Sequence, residues 1–539
     1  MGARIIAIGL DAADPQLLEK WMAEGHLPNI SKVREQGLYA DLYAGKHNIS
    51  ETTWTTFFTG CWPDKTGFWS QVKFNEEQYS WKGVTYDYKE YAPFYAMGGD
   101  RKVAMFDLPQ AAIAEEANGI QVLAWGTHSA QTPSVSKPAD LLQQIRTEYG
   151  GHPSLNKDHA RLWQKGSLQR FLKNLREGLD LRRRICIDLM QRDDWDLFFT
   201  VFAETHSGGH YLYHLSQPDH PWYEHFKGLL GDEDPLLTIY KDTDAAVGEI
   251  VRNAPEDAHI LLFSQEGTVA NNLDLTGMLF LPEMLYRFSF PDRTGFGGGR
   301  YESNTPPPPM VTWPKSFGWV REVWSTKTDA NPLRKLVRNN VLMELSHKFD
   351  RVVGLPPGPH YPYEFRGYYF QPALWYSPFW PQMQAFALPT YCDGYVRINL
   401  KGREKDGIVD PKNYDSLCDQ LSDHISALKD PRTQKPIVKE IFRPRNAPEG
   451  ARVADPDLVV VWDSDVPCDL VDSPDFGRIG PVPHRRSGGH NNAGFLIAKG
   501  PGIPANSNGL KADLVDMAPT ILNLMGAPVP GHMDGKPLL

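Results

Sequence analysis

Five polar clusters stand where apolar runs of this chain end, and their residue types can hold a metal ion or activate a nucleophile. The first is Asp11, which follows Arg4–Leu10 and can either bind a cation or cap the next helix. The second is the stretch Ser50-Glu51-Thr52-Thr53-Trp54, followed by Phe57 and Phe58. A hydroxyl at the start of a helix there would feel the positive end of the helix dipole, which favours an alkoxide; a plain N-cap serine is the alternative. The third is Glu204-Thr205-His206-Ser207-Gly208-Gly209-His210, where two imidazoles four apart in a glycine-containing turn can converge on one cation. The fourth is Ser264-Gln265-Glu266-Gly267, in which Glu266 is a ligand, a base or simply a turn residue. The fifth is Gly488-Gly489-His490-Asn491-Asn492, a histidine held between glycines and a following strand. Each signal is weak alone. Three histidines and two carboxylates at strand ends of one sheet are harder to assign to chance.

The elements that must position them read as strand–helix alternation. Short apolar runs predict buried strands at Arg4–Leu10, Lys102–Leu108, Ile120–Trp125, Asp196–Ala203, His259–Ser264, Asp457–Trp462 and Gly494–Ala498. Apolar residues at spacings of three and four predict helices over Leu168–Met190, around Leu236–Ile250 and around Met517–Met525. The fold class is therefore α/β, with a mainly parallel sheet flanked by helices on both faces. In such a sheet ligands bind at the carboxyl ends of the strands, where the five clusters fall. Residues 279–389 are rich in Pro, Gly and aromatics and lack periodicity, so they read as an inserted cap region between a first core segment, 1–278, and a second, 390–539. The aromatics Trp375, Tyr376, Phe379 and Trp380 would stack on a substrate ring or pack the cap.

Bulk properties exclude several classes. The 539 residues carry a net charge of −10, which gives no footing for a nucleic-acid polymer. The run Arg182-Arg183-Arg184 reads as a solvated helix face. Five cysteines without a CxxC pair argue against both a disulfide framework and a thiolate zinc site. No stretch approaches the roughly 20 apolar residues of a membrane span. The expected location is the cytoplasm, and the expected partner is a small anionic molecule.

The order of the motifs resembles the alkaline-phosphatase superfamily, and within it the type I phosphodiesterase/nucleotide pyrophosphatase and phosphohydrolase/phosphomutase-like members. The stretches carrying the resemblance are Ile5–Asp14, Leu27–Gly37, Ser50–Gly60, Ile398–Val409, Gly489–Ile503 and Asp513–Leu538. It implies an alkaline-phosphatase-like fold and two close metals, commonly zinc, that clamp a phosphoryl or sulfuryl group. It implies a nucleophile nine residues before the Thr of Thr59-Gly60, which is Ser50, with Thr52 and Thr53 as fallbacks. It places metal ligands at Asp11, His206, Gln265, Glu266, His210 and His490. Three of these differ from the family pattern: His206 replaces an aspartate, Gln265 an aspartate, and Glu266 a histidine. Gln265, Thr53 and Asn491 then become candidates for supporting or substrate contacts.

A neutral glutamine is a poor metal ligand, so the nucleophile-side site is weakened while the other becomes three histidines. That set suits zinc, and with a carboxylate also iron or manganese, at one or two ions per chain. The expected activity is metal-dependent phosphoester chemistry on a phosphodiester or nucleotide-like substrate. Loss of the family's Asp-His pair makes direct attack by water at the three-histidine site more attractive than a covalent phosphoenzyme. One alternative is a repurposed mononuclear iron or manganese enzyme of a specialised biosynthetic pathway, and another is a non-catalytic binding homologue.

Overall fold

The computed structural model describes residues 4–45, 51–126, 132–155, 157, 159–295, 306–307, 309–310, 319, 371–444, 456–463, 465 and 468–539. Ser50 and most of the expected cap, including all of 320–370, lie outside them. The chain divides into two compact units. The first comprises residues 1–71, 83–271 and 486–539; the second comprises 72–82 and 272–485. This partition differs from the expected one, because residues 390–485 belong with the second unit rather than with the core. The strand Leu458–Trp462 shows why. Its unbroken apolar run predicts a strand of the parallel sheet, yet it pairs antiparallel in the other unit. A fully buried strand has the same composition in either kind of sheet.

The first unit is built on nine strands in the spatial order Ser507–Asp513, Leu38–Tyr43, Ala493–Lys499, His259–Ser264, Ile5–Leu10, Leu197–Phe202, Val103–Leu108, Gly119–Leu123, Ser136–Lys137. The four-strand centre from His259–Ser264 to Val103–Leu108 is parallel throughout. Ala493–Lys499 runs antiparallel to both its neighbours. Every residue of Ile5–Leu10, Leu197–Phe202 and His259–Ser264 is buried, as the unbroken apolar runs require of strands covered on both faces.

Alternation decides which helix layer each strand residue meets. Ile5, Ala7, Phe199, Val201, Leu261 and Phe263 join one core cluster with Trp54, Phe57, Phe58, Met517 and Ile521. Phe57 stacks on Phe263 with centroids 4.6 Å apart, which fixes the helix Thr53–Thr59 over the sheet. Burying one such ring fully stabilises the fold by about 1.5–3 kcal/mol. On the opposite face Thr200 meets Cys186 of the helix Lys165–Gln191. That helix packs with Glu204–Ser216 and Pro235–Asn253. The helix Pro15–Ala23 starts at Asp14, whose Oδ1 accepts from the backbone N–H of Gln16 and Leu17, each at 3.0 Å. Asp14 is therefore the cap, which leaves Asp11 available for other work.

The second unit contains an antiparallel sheet ordered Ala385–Leu388, Gly394–Ile398, Leu458–Trp462, Val438–Phe442. Its aromatics pack inward. Trp380 stacks on Phe386 at 4.7 Å, and the Tyr376 hydroxyl is bonded to the buried Glu283. Of the two roles open to these rings, the structure shows packing. No described helix is long and apolar enough to cross a membrane.

Candidate metal centre

Four chain segments deliver the site, and their close approach depends on glycine. The segment Glu204-Thr205-His206-Ser207-Gly208-Gly209-His210 forms the first turns of the helix Glu204–Ser216 and not a loop, so His206 and His210 share a helix face at the i,i+4 spacing. Opposite it a hairpin pairs Gly267–Ala270 antiparallel with Gly488–Asn491, with His490 facing Thr268 in register. A Cβ on Gly209 would come within 2.7 Å of Thr268 Oγ1, and one on Gly488 within 2.3 Å of the Gly209 carbonyl oxygen. Any side chain at either position would push the helix and hairpin apart. The approach is locked by Ser487 N–H donating to the His210 carbonyl at 2.7 Å and by Asn271 N–H donating to the Ser487 carbonyl at 2.9 Å.

Asp11 enters from the end of Ile5–Leu10. Its N–H donates to the Phe202 carbonyl at 3.0 Å, and its own carbonyl accepts from the Thr205 hydroxyl at 2.7 Å. The turn continues through Ala12 at φ 51°, where the Ala12 carbonyl accepts from the Thr268 hydroxyl at 2.7 Å.

These contacts bring together His206, His210 and His490 as one group of potential ligands, and Asp11, His206 and Glu266 as a second, each set having its ligand atoms within 4.8 Å of one another. The ring centroids of the three histidines stand 4.5, 4.7 and 4.8 Å apart. His206 Nδ1 lies 3.1 Å from Asp11 Oδ2, and His210 Nδ1 lies 2.8 Å from the Gly488 carbonyl oxygen. Both partners accept, so each Nδ1 carries a proton and each Nε2 is turned into the cluster as a potential ligand atom. Those two Nε2 atoms stand 2.8 Å apart. Two imidazole nitrogens turned toward each other at that distance, beside the third imidazole of His490, form a donor set that fits a metal ion.

The other expected residues fall into distinct roles. Gln265 is fully buried and donates its side-chain amide to Asp11 Oδ1, so both Asp11 oxygens accept N–H donors. Glu266 is buried, with Oε1 at 3.5 Å from His490 Nδ1. Asn491 turns its Oδ1 to the Ala493 N–H at 3.1 Å, closing the turn into the next strand. Thr53 is buried at the first position of Thr53–Thr59. His214, on the same helix, is buried and bonded to the Leu162 carbonyl at 2.9 Å, away from the imidazole cluster.

Two arginines carry more than their sequence context suggested. Arg182 is fully buried, not solvated, with its guanidinium 2.7 Å from Asp107 and 3.1 Å from Glu204. His152 lies 2.9 Å from Glu204 as well. Burial alone would raise the Glu204 pKa, but Arg182 and His152 together outweigh it and hold the carboxyl below its ordinary range. This network secures the first residue of the helix that bears His206 and His210. Arg486 Nη1 donates to His210 Nε2 at 2.8 Å. The basic pair immediately before Ser487-Gly488-Gly489-His490 was the signal available for it.

The sequence profile of the type I phosphodiesterase / nucleotide pyrophosphatase family matches residues 5–287, just over half of the chain. The chain belongs to this family. Membership of the type I phosphodiesterase / nucleotide pyrophosphatase family identifies it as a phosphoester hydrolase of the alkaline-phosphatase superfamily. No curated protein sequence matches it. Among solved structures, wild-type alkaline phosphatase PafA superposes with a TM-score of 0.51 at 11% identity, covering 100% of this chain and 98% of that one. At that identity the likeness shows the fold, which is alkaline-phosphatase-like. Murine ectonucleotide pyrophosphatase/phosphodiesterase 5 gives a TM-score of 0.45 at 10% identity, covering 98% of this chain and 96% of that one. Its human counterpart gives 0.45 at 9% identity, with 99% and 97% covered.

Proposed function

We propose that the chain is a metal-dependent phosphodiesterase acting on small anionic phosphodiester or nucleotide-like substrates through His206, His210 and His490. The observation that carries this reading is the convergence of three imidazoles, with the Nε2 atoms of His206 and His210 2.8 Å apart and both Nδ1 atoms already engaged. Zinc is the preferred ion for three neutral imidazoles, and when bound it would polarise a phosphoryl oxygen and acidify a water molecule. Asp11 then holds His206 in its binding tautomer, and the Gly488 carbonyl does the same for His210. Glu266, beside His490, is the carboxylate placed to complete the coordination or to accept a proton.

The test is elemental analysis of protein purified without added metal, paired with turnover of bis(p-nitrophenyl) phosphate before and after chelation. Bound zinc with chelator-sensitive hydrolysis supports the reading. A fully metallated sample that hydrolyses no activated diester refutes it.

One observation favours a second reading, a mononuclear iron or manganese enzyme of another reaction class. Both Asp11 oxygens already accept N–H donors, which favours the single three-imidazole set over a second metal position at Asp11. Oxygen-dependent substrate consumption by the iron-loaded protein would support it, whereas zinc as the sole resident metal would count against it.

A further inference from the structure

His152 sits in a slot shaped for its ring. The ring is buried between two glycines: a Cβ on Gly178 would come within 1.9 Å of its Nε2, and one on Gly126 within 2.6 Å of its Cδ2. Trp125 closes the slot edge-on, with ring centroids 5.1 Å apart. The Ser154 N–H donates to His152 Nδ1 at 3.1 Å, so that nitrogen has no proton and the ring N–H is on Nε2. Nε2 donates to Glu204 Oε1 at 2.9 Å. Arg182 Nε donates to both Glu204 oxygens, each at 3.1 Å, from the helix Lys165–Gln191. Two donors from separate segments thus hold one carboxylate, which fixes its position and not only its distance from a single partner.

Glu204 is the first residue of the helix Glu204–Ser216, two before His206 and six before His210. At about 100° per residue these offsets are about 200° and about 240° around the axis, so Glu204 holds the back of the helix while the two imidazoles lie on the front. The hold on Glu204 therefore resists rotation of the helix about its axis. A turn of about 10° carries an atom about 6 Å from the axis through about 1 Å, more than the roughly 0.5 Å that a preorganised ligand set tolerates. Resting on the metal-centre reading above, we propose that His152 is a positioning residue for that centre. Through Glu204 it sets the rotation of the helix, and hence how closely His206 and His210 meet one ion alongside His490.

The experiment measures zinc affinity of the full chain by competition with a chromophoric chelator, together with the unfolding midpoint of the zinc-free protein. His152→Leu should bind zinc about tenfold more weakly than wild type, the effect of losing a support behind a ligand. His152→Gln, whose side-chain amide reaches where Nε2 stood, should restore most of that affinity. His152→Asn, whose shorter amide reaches only the Nδ1 position, should not. Ile521→Val makes a small cavity in the core cluster on the opposite face of the sheet. It should lower the midpoint without changing zinc affinity. Zinc binding by His152→Leu within about twofold of wild type, or equal affinity in the Gln and Asn variants, overturns the proposal. So does equal weakening in Ile521→Val, which would trace the effect to general loss of stability. If His152→Leu does not fold, the comparison of the Gln and Asn variants decides. Wild type that binds no zinc overturns the metal-centre reading and this proposal with it, whereas zinc-binding wild type with indifferent variants overturns this proposal alone.

Discussion

Gln265 donates its side-chain amide to Asp11, and that contact turns a strand-end carboxylate into a hydrogen-bonded support. With His206 Nδ1 on its other oxygen, Asp11 orients an imidazole as much as it offers a lone pair. Replacing Asp11 by Asn removes the charge that selects the His206 tautomer and should weaken metal binding about 10- to 100-fold with the fold retained. Chelator competition measures this, and unchanged affinity would show that His206 needs no such support.

Arg182 neutralises two carboxylates in a site closed to water. Arg182→Met would leave Asp107 and Glu204 buried without their counter-charge and should cost about 3–5 kcal/mol of stability, the range for breaking a buried ion pair. Denaturant unfolding of variant and wild type gives the difference. A loss below about 1 kcal/mol, the range of exposed pairs, would mean that water reaches the cluster.

Two buried histidines should make the protein acid-sensitive. Burial pushes His214 down to about 4 against the pull of the Leu162 carbonyl, and burial pushes His484 down to about 4 as well. Above about pH 6.5 both are neutral whether folded or unfolded, and their contribution to stability is complete. As pH falls from there toward 4 the unfolded chain takes up the protons first, so stability is lost. Asp14 has the opposite sign: burial raises it to about 6, so it favours the fold at low pH and that contribution fades as pH rises through 6. A plot of Tm against pH for His214→Phe should fall less steeply between 6.5 and 4 than that of wild type. Parallel curves would show that His214 titrates normally.

All five cysteines are buried and free. Burial raises Cys61 to about 11 and Cys186 and Cys418 to about 12, so little thiolate exists at neutral pH. A thiol-specific disulfide reagent at pH 8 should label none of them until denaturant is added. Rapid labelling of the native protein would contradict this packing.

The sequence by itself determined the strands Ile5–Leu10, Leu197–Phe202 and His259–Ser264, because a strand covered on both faces must be apolar at every position and so reads as an unbroken run. The same logic exposed the polar residues that end those runs, which is why Asp11, His206, His210 and Glu266 were legible as candidates, while His490 stood out between glycines and a following strand. Periodicity also found the long helix Lys165–Gln191, but it could not show that one of its three consecutive arginines is buried. Charge reads as solvated until the partners, here Asp107 and Glu204 from distant segments, are known. The helical state of His206 and His210 was hidden by Gly208 and Gly209, which weaken a helix locally; Gly209 is needed there because a hairpin presses against it. The tertiary structure alone decided three further points: that Leu458–Trp462 belongs to a separate antiparallel sheet, that Gln265 engages Asp11, and that Arg486 reaches His210. Each depends on side chains or strands meeting across tens to hundreds of residues, and a local pattern records what a segment must bury but not which distant group it will face.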